Sequence, residues 1–254
     1  MPNKTPTHGA RNWFAQGGQA YAQFRPEYPP TLAAFLASVA PERRLAVDVG
    51  CGNGQLTQSL AAHFSAVVGL DPSREQIEHA APHARITYQC APAEQLPLAA
   101  GCASVVAAAQ AAHWFHLPDF YQEVRRVAAP GAVLALISYG VLALQAPLQQ
   151  RFQSFYSDEI GAYWPAERKL VDAGYATIDF PFEEFAAPAL DIRVDWCLPE
   201  FLGYLQTWSA VRRAQEAGQD ALLLRFAGDM ATLWGDPATR RPVVWPIHMR
   251  LGRL

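Results

Sequence analysis

The run Leu45-Ala46-Val47-Asp48-Val49-Gly50-Cys51-Gly52-Asn53-Gly54 constrains this chain more than any other, because a buried strand leads straight into three glycines spaced by two. Glycines there allow positive φ and leave room for backbone amides to touch a bound group. Residues 55–64 follow as a helix with Leu56, Leu60 and Phe64 on one face, and its N-terminus favours the negative end of a ligand. Residues 66–70 form the next strand. Asp71 stands at its carboxyl end, where two carboxylate oxygens can accept both hydroxyls of a ribose. A dinucleotide site would show G-x-G-x-x-G; the spacing here is G-x-G-x-G, which points to a nucleoside without requiring a pyrophosphate. Two structural alternatives stand beside this reading: a tight strand-to-helix turn that binds nothing, and Asp71 as a helix cap.

The pattern continues as strand and helix in alternation, the signature of βαβ units around a parallel sheet. Ser73 and Gln76 form a capping box at the start of a helix. Strands are expected at 85–89, 103–109 and 133–139. A helix is expected at 118–128, with Asp119 in its first turn, Arg125 and Arg126 near its last, and Pro130 and Gly131 stopping it. Beyond Gly140 the rhythm breaks. Residues 145–181 are rich in proline and aromatic side chains and read as an inserted cap, 191–197 as a strand, 199–217 and 220–234 as helices. Residues 243–251 are an apolar segment suited to pairing antiparallel with the 191–197 strand at the sheet edge, where Pro246 demands a bulge or an edge position. The expected fold is α/β: a Rossmann-like, doubly wound, seven-stranded, mostly parallel sheet with an antiparallel edge strand and an inserted helical cap.

Composition removes several function classes. With 254 residues, 51% hydrophobic and 17% charged, the chain can bury a continuous core without disulfides and is not a disordered or solvating polymer. Its net charge of −3 comes from 20 basic and 23 acidic side chains with no basic block, so a nucleic-acid partner is not expected. Cys51, Cys90, Cys102 and Cys197 are scattered, without a C-x-x-C pair or nearby histidines. They read as free thiols of a reducing compartment, with no metal site. Residues 1–9 lack the apolar core of a secretory signal, and no apolar run approaches the roughly 18 residues of a membrane span. A soluble, cytoplasmic monomer or homodimer is expected.

The motifs Asp48-Val49-Gly50-Cys51-Gly52-Asn53-Gly54 and Gly69-Leu70-Asp71-Pro72-Ser73 together resemble those of the class I S-adenosylmethionine-dependent methyltransferases, within the type 11 methyltransferase family. The resemblance extends through Ala93-Glu94-Gln95-Leu96-Pro97, Gln110-Ala111-Ala112-His113-Trp114-Phe115 and Arg125-Arg126-Val127-Ala128-Ala129-Pro130-Gly131, and covers most of residues 12–140. Tyr21-Ala22-Gln23-Phe24-Arg25-Pro26-Glu27-Tyr28-Pro29 and Tyr204-Leu205-Gln206-Thr207-Trp208-Ser209-Ala210 resemble the trans-aconitate methyltransferase-like branch. The resemblance implies one methyltransferase domain over 1–254: a cofactor-covering segment at 1–40, a cofactor-binding core at 41–140, a substrate cap at 141–181, and sheet completion with C-terminal helices at 182–254. It implies S-adenosyl-L-methionine as cofactor. Gly50, Gly52 and Gly54, with Cys51 and Asn53 between them, would surround its methionine and ribose, and Asp48 would fix the loop and the amino group. Asp71 would take the ribose hydroxyls, Pro72 and Ser73 would flank the adenine, and Ala93 and Glu94 would border its ring and amine. Gln110 and Ala111 would lie near the sulfonium. Tyr21 and Arg25 would close over the cofactor, Arg25 pairing with the methionine carboxylate unless it only binds Glu27 at the surface.

The acceptor is expected to be a small molecule. His113 and Trp114 are candidates for its pocket, against a role as core or rim residues. Trp164 is a candidate from the cap, which also supplies Tyr163, Arg168 and Tyr175. Trp208 is a candidate from the later helix, although its helical spacing with Tyr204 equally suits packing. A carboxylate acceptor is already ionised and needs no base; a hydroxyl or carbon acid needs one, and His113 or His116 is the candidate. Methyl transfer to an organic acid is the expected function. The alternatives are C- or O-methylation of an apolar natural-product or quinone-type acceptor, and binding of S-adenosylmethionine without catalysis. An NAD-dependent dehydrogenase would require a pyrophosphate site.

Overall fold

The computed structural model describes residues 26–254. β1 (Leu45–Val49), β2 (Ala66–Asp71), β3 (Ile86–Cys90), β4 (Ala103–Ala109) and β5 (Ala128–Tyr139) pair in parallel in the spatial order β3-β2-β1-β4-β5. β1 and β4 are central and covered on both faces, which is why their sequences are near-continuous runs of Val and Ala. The chain builds outward from β1 through β2 to β3, then crosses back to β4. The order therefore reverses between β1 and β4, and ligands of open α/β sheets bind outside the carboxyl ends of the strands at such a point.

The helices follow the expected chemistry. Leu117–Val127 buries Phe120, Tyr121, Val124 and Val127 on one face, with Asp119 in its first turn and Arg125 and Arg126 in its last. Gln55–Ala61 buries Leu56, Thr57, Leu60 and Ala61. Ser73 caps Arg74–Glu78 by accepting from the Gln76 amide. Helix Leu117–Val127 stops earlier than Pro130 and Gly131 suggested, because β5 begins at Ala128. Ala103 pairs with Ala128 and Val105 with Val133, so residues between those two β5 positions are accommodated as a register shift.

Three expectations about the second half need correction. The sheet has eight strands, not seven: β6 (Glu183–Phe185), only three residues long with two glutamates, carries no alternating apolar pattern that the sequence could reveal. The antiparallel strand β8 (Arg241–Arg253) is not at the edge. It pairs with β5 from Val133↔Arg253 to Tyr139↔Ile247, with β6 on its other side, and with β7 (Leu190–Trp196). Pro246 sits just beyond the ladder to β5, where its carbonyl still accepts from the Gly140 amide at 3.2 Å and its missing N–H breaks no rung of that ladder. Finally, the single helix expected at 199–217 is two, Leu198–Gln206 and Ser209–Glu216. Trp208 turns extended (φ −74°, ψ 135°) and becomes the N-cap of the second.

Among the described residues the chain divides into two compact units. One comprises Glu27–Leu142, Ala166–Ile192 and Trp245–Leu254 and holds the parallel strands; the other comprises Ala143–Pro165 and Arg193–Val244. The stretch read from sequence as one cap is thus shared between them at Pro165. The second unit is helical with an aromatic core in which Phe155 stacks on Phe226 at 3.8 Å, and Arg151 bridges Glu159 and Asp229. Among the described residues, no helix is long and apolar enough to cross a membrane.

Candidate active site

Gly50, Gly52 and Gly54 all take the left-handed φ values that the motif demands, +70°, +55° and +92°. Their individual reasons differ. A Cβ on Gly50 would lie 2.4 Å from the Ala111 Cβ and 3.2 Å from the Phe115 ring. A Cβ on Gly54 would lie 2.1 Å from the Tyr88 hydroxyl, which accepts from Gln58 Nε2. Both positions are therefore small for the protein's own packing. Gly52 is the open one: the nearest atom to its absent Cβ is Gln76 Oε1 at 3.7 Å. The expectation that the loop amides would face a ligand needs correction. The Gly50 and Cys51 amides donate to the Leu70 carbonyl at 2.7 and 3.0 Å, the Gly54 amide to Cys51, and the Gly52 amide to Asp71 Oδ2 at 2.9 Å. The glycines supply room and curvature, while the Gly50 and Gly52 amides tie the loop to β2 and the Gly54 amide closes it on Cys51.

Asp71 is the hub of that tie. Its second oxygen accepts from the Ser73 amide at 2.8 Å. Each carboxylate oxygen keeps a further lone pair, so the half-buried carboxylate can still accept two outside donors. Pro72 and Asn53 are exposed beside it.

Asp48 lies beneath the loop, wholly buried. Its Oδ2 accepts from the Thr57 hydroxyl at 2.6 Å, while Oδ1 is buried with no donor. Burial, opposed by the Thr57 hydrogen bonds and reinforced by the Asp71 charge, pushes its carboxyl up to about 6. The same burial, with Asp48 and Asp71 nearby, raises the Cys51 thiol far above its ordinary value, so Cys51 is no nucleophile. The raised Asp48 pKa has a measurable sign. Between the ordinary 3.8 and about 6 the folded state binds more protons than the unfolded one, so stability falls as pH rises through that window. The loss is on the order of 3 kcal/mol. Unfolding in urea should therefore show wild type losing stability from about pH 4 to pH 7 relative to Asp48→Asn. Parallel curves for the two proteins would refute it.

The carboxyl end of β4 closes the third side. Gln110 is held at φ +53°, rare for a residue with a side chain, by its amide to the Ile137 carbonyl and its Nε2 to the Tyr139 carbonyl. Ala111 then packs against Gly50, and a single turn, Ala112–Trp114, carries His113. His113 Nδ1 lies 2.9 Å from the Tyr175 hydroxyl. Burial, and to a lesser degree the Arg168 charge against the opposing Glu167, lower its pKa to about 4, so the imidazole is neutral at pH 7. Trp114 is 64% exposed. Glu94 accepts from the His116 amide at 2.8 Å and so caps Leu117–Val127, while Ala93 is buried beside it in the chain. His116 pairs with Asp119 on the surface.

The structure thus brings together Asp48, the three glycines, Cys51, Asp71, Ser73 and Ala111. Trp164 and Trp208 belong to the helical unit, where with Tyr156 they form a triangle of rings 5.1 to 5.7 Å apart. Tyr21 and Arg25 lie outside the described residues. Sequence reasoning missed Thr57 and Tyr88, gave Phe115 no role of its own, and named Tyr175 only as a side chain of the cap. Thr57 was legible as a lone hydroxyl within the buried stripe of its helix; nothing in the sequence linked Tyr175 to His113.

The residues present suit S-adenosylmethionine: a buried carboxylate oxygen without a donor, a glycine with open space beside it, and a strand-end carboxylate with spare lone pairs. A methyltransferase domain family model matches residues 47–136, from β1 into β5. A provisionally named methyltransferase of Dictyostelium discoideum is 34% identical over 226 residues, covering 87% of this chain and 86% of that protein. A solved structure from Anaeromyxobacter dehalogenans, provisionally termed a type II methyltransferase, is 43% identical with a TM-score of 0.86, covering 91% of this chain and 98% of that one. A ubiquinone biosynthesis O-methyltransferase of Coxiella burnetii is 30% identical over 121 residues, 46% of this chain and 48% of that protein. Likeness that runs through most of both chains, on a sheet whose order reverses between β1 and β4 beside the glycine loop, makes this chain a member of the class I S-adenosylmethionine-dependent methyltransferases.

Proposed function

We propose that this enzyme methylates a small molecule, with the carboxylate of an organic acid as acceptor. What supports the acceptor class is the setting of His113, the candidate base: it is half-buried, its Nδ1 lies 2.9 Å from the Tyr175 hydroxyl, and burial lowers its pKa. An imidazole protonated only near pH 4 is a poor base for a phenol or alcohol. A carboxylate is ionised at neutral pH and needs none. Arg168, paired with Asp172 at 2.8 Å, adds a positive charge near His113 that Glu167 opposes.

Bound S-adenosylmethionine supplies a methyl carbon already made electrophilic by its sulfonium. In this reading Asp71 accepts the ribose hydroxyls, Asp48 helps to fix the loop and the amino group from beneath, and Gly50, Gly52 and Gly54 shape the loop around methionine and ribose. Cys51 and Asn53 complete that loop, Pro72, Ser73, Ala93 and Glu94 border the adenine, and Gln110 and Ala111 end β4 near the sulfur. His113 and Trp114 face the acceptor. The chain's remaining tasks are to hold the acceptor oxygen in line at roughly 3 Å and to exclude water.

A panel of di- and tricarboxylic acids including trans-aconitate, set against phenols and quinols, tests this with methyl-labelled cofactor. Transfer to an acid at a rate flat between about pH 7 and 9, above the Asp48 titration, is expected. Transfer confined to phenols or quinols, rising with pH, would favour the second reading. Saturable cofactor binding with transfer to no acceptor would favour a non-catalytic protein.

A further inference from the structure

We propose that Tyr175 is a positioning residue that fixes His113 in its Nε2–H tautomer, so that His113 meets the methyl acceptor as a hydrogen-bond donor and not as a base. The role toward the acceptor rests on the function proposed above; the tautomer does not.

Tyr175 is placed at a conformational cost. Helix Arg168–Asp172 ends with the Gly174 amide donating to the Val171 carbonyl and the Tyr175 amide to Leu170, the paired bonds of a Schellman cap. Gly174 takes the left-handed conformation this cap requires, at φ +59°. Tyr175, one residue on, is also left-handed at +62°, which an aromatic residue seldom adopts. Surrounding packing holds it there, with the ring wholly buried in the cluster of Ala108, Ala112, Val171 and Ile178. Strain of this kind gathers where geometry serves a site, and the phenol delivered by it reaches one side chain, His113.

The direction of that bond follows from donor and acceptor accounting. The phenol is wholly buried and burial suppresses its ionisation, so its proton is retained and must find an acceptor. Among the described residues the structure gives it one, Nδ1 of His113 at 2.9 Å. A neutral imidazole that accepts at Nδ1 carries its proton on Nε2. Nε2 has no hydrogen-bond partner among the described residues, yet it is not sealed among the buried unpartnered atoms, so it remains available to a ligand. The turn that bears it is anchored at both ends on the glycine loop, since Ala111 and Phe115 both abut Gly50. Arg168 and Glu167 are the charged groups that act on the ring, Tyr175 is its titratable partner, and Trp114 packs on it at 4.8 Å.

Nitrogen-15 spectra of histidine-labelled protein, without cofactor or acceptor, read the tautomer directly, with the His113 signal assigned by its loss in His113→Gln. The expected result is a protonated Nε2, an Nδ1 in the hydrogen-bond acceptor range, and no titration near neutral pH. Tyr175→Phe keeps the ring and removes the hydroxyl, so an Nδ1–H population should appear. Turnover with the acids of the panel then separates donor from base. His113→Gln, which retains an N–H near the Nε2 position, should keep transfer within about tenfold of wild type, whereas His113→Ala should lose more. An Nδ1–H tautomer in the wild type overturns the proposal without reference to activity, as does a spectrum unchanged by Tyr175→Phe. Loss of all transfer in His113→Gln alongside a pH profile that follows His113 ionisation overturns the donor role. If no acid is a substrate while Nε2–H is observed, the functional reading fails and the tautomer stands.

Discussion

Asp71→Ala should weaken binding of S-adenosylhomocysteine, measured by calorimetry, by at least about a hundredfold. Two charge-assisted hydrogen bonds to the ribose would be lost, each worth roughly 1.5–3 kcal/mol, and every 1.4 kcal/mol is about a factor of ten in affinity. The same carboxylate orders the loop by accepting from Gly52 and Ser73, so part of the loss comes through a less organised site. Those two amides are only partly buried. Their release should cost about 1–2 kcal/mol and lower the melting temperature by a few degrees without unfolding the chain. Asp71→Asn, which keeps one carbonyl acceptor, should fall between. Affinity equal to wild type in a folded Asp71→Ala protein would remove Asp71 from the ribose role.

Gly50→Ala should destabilise the fold itself. A left-handed alanine costs about 1–2 kcal/mol, and a Cβ 2.4 Å from that of Ala111 adds roughly 1–3 kcal/mol of overpacking. For a chain of this size the sum corresponds to a fall of roughly 4–20 °C in melting temperature. Ala111→Gly in the same protein should recover the overlap part and leave the backbone part. Gly52→Ala provides the contrast. With nothing nearer than 3.7 Å to its added methyl group, it should lose only the backbone cost, about 1–2 kcal/mol, yet weaken cofactor binding by filling the open space. Equal stability of Gly50→Ala and wild type would mean that the loop does not pack on the β4 turn as described.

Much of the fold was legible because the signals are local. A buried strand reads as a run of Val and Ala, a helix as Leu56 and Leu60 on one face, and a left-handed turn as glycine. β6 was invisible for the converse reason: a three-residue strand of Glu-Glu-Phe owes its pairing to β8 and not to its own pattern. The break at Trp208 was likewise hidden, since Tyr204, Trp208 and Arg212 keep helical spacing although Trp208 leaves the helix. In the site, residue types and their order along the chain identified the glycine loop and Asp71, but not what each glycine is for. Only the packing distances assign Gly50 to Ala111, Gly54 to Tyr88 and Gly52 to open space.

What the sequence determined by itself is the class of chemistry: a strand, a glycine turn and an acidic strand tip, each fixed by backbone sterics and hydrogen-bonding capacity within a few neighbouring residues. The tertiary structure decided protonation and partnership. Asp48 is raised and His113 lowered because groups far apart along the chain exclude water from them, and the Tyr175 hydroxyl reaches His113 only because a helix end and a strand end, 62 positions apart in sequence, are packed into one core. Burial is a property of the whole fold, and the ionisation of a side chain follows it.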